Sequence, residues 1–174
     1  MKSHARSSLG RPLELSSQAA QGGRSSVLDA LRAAGWFEGR RFDCSAWIEA
    51  LGAAGFAPNP LALRLWEEFG GLKIASSAAR TPASSLYVEP MDACIDSLDE
   101  AKRLARRFGE NFSPLGMWSI QFRSYVGESG RVVAVGPMVM WDLGSSFSEA
   151  LAYVVNGDEG GSRAQEAPWL AEPA

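Results

Sequence analysis

Residues 59–75, NPLALRLWEEFGGLKIA, constrain the architecture more than any other stretch of this chain. Asn59 is a residue type that accepts hydrogen bonds from the free amides of a helix start, and Pro60 has the preset φ that suits the first helical position. Leu61, Leu65 and Phe69 recur every four residues, with Ala62 and Trp66 beside them, and so build one apolar helical face. Gly70 and Gly71 then end the helix, because glycine adopts the positive φ or tight corner that other residues resist. Leu72-Lys73-Ile74 comes immediately after as a short strand. Helix, two-glycine corner and strand form one unit. The chain before this unit is helical, and the strands lie after it.

Upstream, Ser26 and Asp29 have the spacing of a helix cap and its first turn, and Gly35 closes that helix. Asp43 opens a second helix with apolar positions at Trp47, Ile48, Leu51 and Ala54, ended by Gly55. Downstream, residues 75–85 read as a loop and Leu86-Tyr87-Val88 as a strand ended by Pro90. Ser97 and Glu100 match a capping box. The helix they open carries Leu98, Ala101, Leu104, Ala105 and Phe108 on one side and Lys102, Arg103, Arg106 and Arg107 on the other. Pro114-Leu115-Gly116 reads as a turn into a strand over 118–126, where Trp118, Ile120, Phe122 and Val126 alternate with Ser119, Gln121, Arg123 and Tyr125. Gly127 to Gly130 is a hairpin loop, 131–135 the returning strand and 138–143 a further strand after Gly136-Pro137. Ser146 and Glu149 open a last helix that Gly157 ends. Helices and hairpin strands without regular βαβ crossovers make an α+β fold.

A chain of 174 residues, 46% of them apolar, suits one domain with a real core. Residues 1–23, rich in Ser, Gly, Gln and Ala, read as a disordered segment; 24–157 as the domain; and 158–174 as a flexible tail in which Trp169 offers an anchor. A net charge of −3 provides no electrostatic case for nucleic acid or an anionic membrane. No apolar run approaches a membrane span, and none comes after the basic residues near Met1, so a soluble, cytoplasmic protein is expected. Cys44 and Cys94 are far apart and read as free, buried thiols.

The residues that carry common catalytic chemistry are missing or isolated. The single histidine, His4, lies in the N-terminal segment. There is no metal-ligand spacing and no nucleophile elbow. Glu67 and Glu68 are neighbours on a helix and do not face each other. Asp96, Asp99 and Glu100 sit where a helix start favours negative charge. Asp142 has no second carboxylate to work with. The expectation is a non-enzyme with no catalytic, metal or cofactor-binding residues. The Lys102, Arg103, Arg106 and Arg107 face is short and favoured by its helix C-terminus, so direct nucleic-acid binding is not expected.

Several short motifs, in order, resemble a known family. Gly35-Trp36 with Gly39-Arg40, Phe69-Gly70-Gly71-Leu72, Pro114-Leu115-Gly116, Gly130-Arg131-Val132, and Leu143-Gly144 with Phe147 and Ala150-Leu151 are similar in order and spacing to the SUKH-3 immunity proteins, a branch of the SUKH superfamily. The resemblance covers roughly residues 28–157. It departs at Glu89, where the family usually has Asp before Pro90. It implies a central, mostly antiparallel sheet flanked by helices. It also implies a bacterial immunity protein of a polymorphic toxin system, which binds and neutralises a cognate toxin, often a nuclease, without catalysis or cofactor. A regulatory or scaffold module of the same fold is the second expectation, and an uncharacterised enzyme the third. The open sheet face and its loops are the implied contact surface. That makes Arg123, Tyr125, Trp141 and Asp142 candidate partner contacts, with Glu67 and Glu68 next. Each is otherwise a solvated side chain or a packed aromatic.

Overall fold

The computed structural model describes residues 26–94, 97–158 and 160–174. The expected disordered segment 1–23, His4 and Asp96 lie outside them. Six helices are described: Val27–Ala33 (α1), Ser45–Ala53 (α2), Pro60–Phe69 (α3), Pro90–Cys94 (α4), Leu98–Phe108 (α5) and Phe147–Asn156 (α6). The strands are Lys73–Ala75 (β1), Ser85–Tyr87 (β2), Phe112–Trp118 (β3), Phe122–Gly127 (β4), Val132–Gly136 (β5), Val139–Gly144 (β6) and Ala164–Glu166 (β7). They form one sheet in sequence order, every neighbour antiparallel. The α+β fold with a central antiparallel sheet flanked by helices is thus what the chain adopts.

The 59–75 unit forms as its residue types dictate. Asn59 Oδ1 accepts from the Ala62 amide at 2.8 Å, while Asn59 Nδ2 donates to the Val126 carbonyl at 2.9 Å. One buried side chain therefore caps α3 and ties it to β4. Ala62, Leu65, Trp66 and Phe69 are all fully buried. The Trp66 indole donates to the Pro114 carbonyl of β3 at 3.1 Å, satisfying its one polar atom inside the core. Gly71 has φ +76°, and its amide donates to Val88 O at 2.8 Å. The corner thus feeds straight into the β1–β2 ladder.

Alternation along β4 sends its side chains to opposite sides of the sheet. On one face Ile74, Leu86, Trp118 and Ala134 lie under α3 and α6, which meet through the Phe69 and Phe147 rings at 4.9 Å. On the other face Tyr125 and Val133 lie under α5, whose Phe108 packs on Phe112 at 5.5 Å. Both faces are covered, so β5 is buried along nearly its whole length.

Several expectations change. Residues 118–126 are not one strand: the chain reverses at 119–121, and Trp118 pairs with Phe122. Residues four apart keep the same parity, so a three-residue turn leaves period two unbroken and the hairpin looks like a straight strand. Pro114 to Gly116 is not a turn either but part of β3, with a bulge between them. A Cβ at Gly116 would stand 1.8 Å from Tyr87 O, so only glycine lets β2 and β3 approach there. Pro90 begins α4. The Ser97–Glu100 capping box does not form, because Glu100 turns to the sheet. Ile48 is exposed while Leu51 carries the buried face of α2.

Nor is the C-terminal segment a loose tail. Ala164, Gln165 and Glu166 pair with Trp141, Met140 and Val139, and the Ala167 amide donates to Met138 O at 2.8 Å. A 3-10 turn over Pro168–Ala171 then buries Leu170 and sets Trp169 edge-on to Phe108 at 6.5 Å. Arg103 and Arg106 donate to the carbonyls of Glu172 and Pro173. Part of the basic face of α5 is thus taken up by the chain's own end. The segment's polar composition hid two residues, Ala167 and Leu170, that reach the core.

Candidate interaction surface

The six candidate contact residues do not form one surface. Arg123 and Tyr125 come together, but around Glu100 of α5. Arg123 donates to both carboxylate oxygens at 2.8 and 2.9 Å, and the Tyr125 hydroxyl donates to Oε1 at 2.6 Å. The carboxylate holds the Arg123 guanidinium protonated. Burial, reinforced by the same carboxylate, pushes the Tyr125 phenol up. Tyr125 has no exposed surface, so it is a bolt between α5 and the sheet and not a contact for a partner. Asp142 pairs with Arg131, whose guanidinium lies over the Phe108 ring at 5.1 Å, so it too serves the α5 side. The face expected to be open is closed by α5 and the C-terminal turn.

Glu67 and Glu68 lie on α3, remote in the fold from that cluster. Glu67 is exposed and sits 3.7 Å from Arg41. Glu68 works inward: its carboxylate accepts from the Trp36 indole at 3.2 Å. Trp141 stands apart on the opposite sheet face. It is half-buried, with its ring 4.3 Å from Phe122 and 5.5 Å from Trp118.

Trp141 leads to a surface that the linear reading missed. In a sequential antiparallel meander, turns alternate between the two ends of the sheet. The β1–β2 connection (76–84), the β3–β4 turn (119–121) and the β5–β6 turn (137–138) therefore share one end. The Ser119 amide donates to Ser85 O at 2.8 Å, and the Trp118 indole to Ser84 Oγ at 2.9 Å, which locks the first two together. Phe122 lies against Gly136, which brings the third alongside. At the tips Ile120 is 72% exposed and Met138 59% exposed. Ser119, Ile120 and Met138 have φ of +50°, +69° and +54°, the left-handed region that side chains with a Cβ rarely enter. Behind them stand the Trp118, Phe122 and Trp141 rings. Arg80 is the one charged residue of these turns, and its guanidinium lies over the Tyr153 ring at 5.0 Å. Ile120 is hidden in sequence by its place in an apparent strand. Met138 carries one signal, the preceding Pro137, which presets a turn.

The cavities are shallow by comparison. One, of about 380 Å³, lies between α1 and β1 and is lined by Asp29, Lys73 and small residues. A second, of similar size, is lined by Phe56, Cys94, Ser97 and Asp99. Neither gathers paired carboxylates or a histidine. Among the described residues no group of three His, Cys, Asp or Glu side chains is placed to hold a metal, and no helix is long and apolar enough to cross a membrane.

The model of the SUKH-3 immunity protein family matches residues 24–157. The chain belongs to that family. Comparison with curated proteins and with solved structures finds no match. Within the matched region the motif residues that carry the resemblance are architectural. Arg40 donates to the Glu68 and Gly70 carbonyls at 2.9 and 2.7 Å, satisfying the free C-terminal end of α3, while Trp36 holds the Glu68 side chain. A Cβ on Gly70 would meet Trp66 O at 2.4 Å, and one on Gly144 would meet the Ala150 amide at 2.6 Å, so both glycines permit close packing of backbone. Gly130 turns the β4–β5 hairpin at φ +101°. Phe69, Leu72, Val132 and Ala150 are core. β7 and the 3-10 turn lie beyond the SUKH-3 match and complete the sheet from outside it.

Proposed function

We propose that this SUKH-3 protein binds and neutralises a cognate bacterial polymorphic toxin, a nuclease domain, in the cytoplasm and without catalysis. The observation that carries this is the family match over residues 24–157. A module whose work is binding needs a stable frame with a few apolar anchors at its surface, and that is what the sheet and its turns provide. Steric blocking of the toxin's site is the mode of action, and among the described residues no group of His, Cys, Asp or Glu is placed to hold a metal.

The test is co-purification with the toxin domain encoded beside the gene, then a nuclease assay and a cell-protection assay. Stoichiometric binding that abolishes nuclease activity is the expected result. A toxin domain that neither binds nor loses activity would sink this reading and leave a regulatory or scaffold role for the fold.

A further inference from the structure

The two outer strands of the sheet, β1 and β7, are finished differently. In an antiparallel ladder, alternate residues turn their amide and carbonyl to the neighbouring strand, and the residues between turn theirs away. At β1 the Leu72 carbonyl accepts from the Val88 amide and the Ser76 amide donates to Ser84 O, so the backbone groups of Lys73, Ala75 and Ser77 turn away from β2. The Ser77 amide is taken by Val155 O of α6 at 2.8 Å. Among the described residues nothing takes the amides or carbonyls of Lys73 and Ala75. On the outward side of β7, by contrast, Ser162 Oγ takes the Ala164 amide at 3.1 Å, Glu166 adds a charge, and Pro168 has no amide to offer. The open edge of β1 runs along the groove of about 380 Å³ between β1 and α1, a volume in the range of ligand clefts. Ala30, Ala33 and Ala34 line its helical wall, so no long side chain of α1 fills the space beside the strand. Asp29 and Lys73, the two charged residues lining it, are opposite in sign, so the groove favours neither an acidic nor a basic partner. β1 has no proline and no bulge to bar further pairing.

We propose that an extended segment of the toxin enters this groove and adds a strand to the sheet beside β1. The inference rests on the toxin-neutralising reading above and names how the toxin is held. Two amides and two carbonyls, interleaved along one line at strand spacing, are what a second extended backbone complements. An anion would satisfy the amides and leave the carbonyls bare, and an apolar side chain would satisfy neither. The alanine wall leaves room for the side chains that the added strand turns toward α1. Main-chain bonds supply the hold, and the groove's shape selects the side chains.

Amide hydrogen exchange of the full chain, followed by NMR with and without the toxin domain encoded beside its gene, tests this. In the complex the Lys73 and Ala75 amides exchange at least about tenfold more slowly, as hydrogen-bonded amides do. Ala75→Pro removes an amide that has no partner inside the protein, at an edge position where proline is tolerated. It weakens binding by about tenfold or more in calorimetric titration, with little change in thermal midpoint. Ala33→Trp fills the groove from an exposed helix position and weakens binding likewise. Arg32→Trp, with the same bulk beside it but outside the groove, binds like the wild type. If the wild type binds but neither amide slows, and Ala75→Pro and Ala33→Trp bind equally well, the inference falls while the neutralising function stands. Amides already protected in the free monomer would place a segment of the chain itself in the groove and overturn it. Wild-type dimers that Ala75→Pro dissociates, with toxin binding unchanged, would assign the edge to a second copy instead. Failure of the wild-type chain to bind removes the neutralising function and this inference with it.

Discussion

Replacing Glu100 by alanine isolates what fastens α5 to the sheet. The carboxylate accepts two hydrogen bonds from Arg123 and one from Tyr125, and its side chain is 12% exposed. The substitution carries three losses. The Tyr125 hydroxyl, fully buried, is left without its acceptor, which costs about 1–3 kcal/mol. The Arg123 side chain is 37% exposed, so water takes over most of its donors and the ion-pair loss shrinks to about 1 kcal/mol or less. Glu100 also stands in the first turn of α5, where a negative charge contributes about 0.3–1 kcal/mol. Glu100→Ala is thus expected to destabilise the protein by about 2–4 kcal/mol. At roughly 2–4 °C per kcal/mol for a chain of this size, the thermal midpoint falls by about 5–15 °C. Urea unfolding at neutral pH measures the free energy directly. Tyr125→Phe alone removes hydroxyl and bond together and costs about 1 kcal/mol. The double variant is therefore no less stable than Glu100→Ala, with a coupling of about 1–2 kcal/mol. A Glu100→Ala cost under about 0.5 kcal/mol, or simple additivity in the double variant, would refute the account of this cluster as the bolt.

Other perturbations draw on the same geometry. Because burial raises the Tyr125 phenol above its ordinary value near 10, its contribution to stability is complete below about pH 10 and is lost as pH rises through the folded value. Urea midpoints measured from pH 8 to 11 should fall less steeply in Tyr125→Phe than in wild type. Gly116→Ala places a Cβ 1.8 Å from Tyr87 O, so it forces β2 off β3 and costs about 3 kcal/mol or more by urea unfolding. Ile120→Gly exchanges about 1–2 kcal/mol of left-handed strain for about 0.5–1 kcal/mol of added chain entropy, so calorimetry should show a slightly higher thermal midpoint. Ending the chain after Ser162 removes β7 and the buried Leu170, and a loss of about 2–4 kcal/mol with a smaller urea m-value is expected, the domain remaining folded.

Local chemistry made much of the frame legible in advance. Asn59 and Pro60 start α3, Gly70 and Gly71 end it, Ser146 caps α6 through the Glu149 amide, and Gly127 to Gly130 turns the β4–β5 hairpin. These features depend on residues a few positions apart, and their physics is complete within the segment. The candidate contacts fared differently. Arg123, Tyr125 and Asp142 are polar residues on strands, and whether such a face meets solvent depends on what lies over it. Here α5 and the 3-10 turn lie over it, brought from positions 98–108 and 168–171, and no pattern in the strands themselves encodes that.

The turn end shows the same division. Period two along 118–126 reports which sheet face each side chain takes, and a turn joining residues four apart leaves that parity unchanged. The sequence alone therefore determined the faces of Trp118 and Phe122 but not the reversal between them. Only the tertiary structure placed Ile120 at a tip, beside Met138 and in front of Trp141. Helix caps, glycine corners and alternation are short-range and sit in the chain. Exposure and the gathering of three separate turns into one surface are set by long-range pairing, which exists only once the sheet has formed.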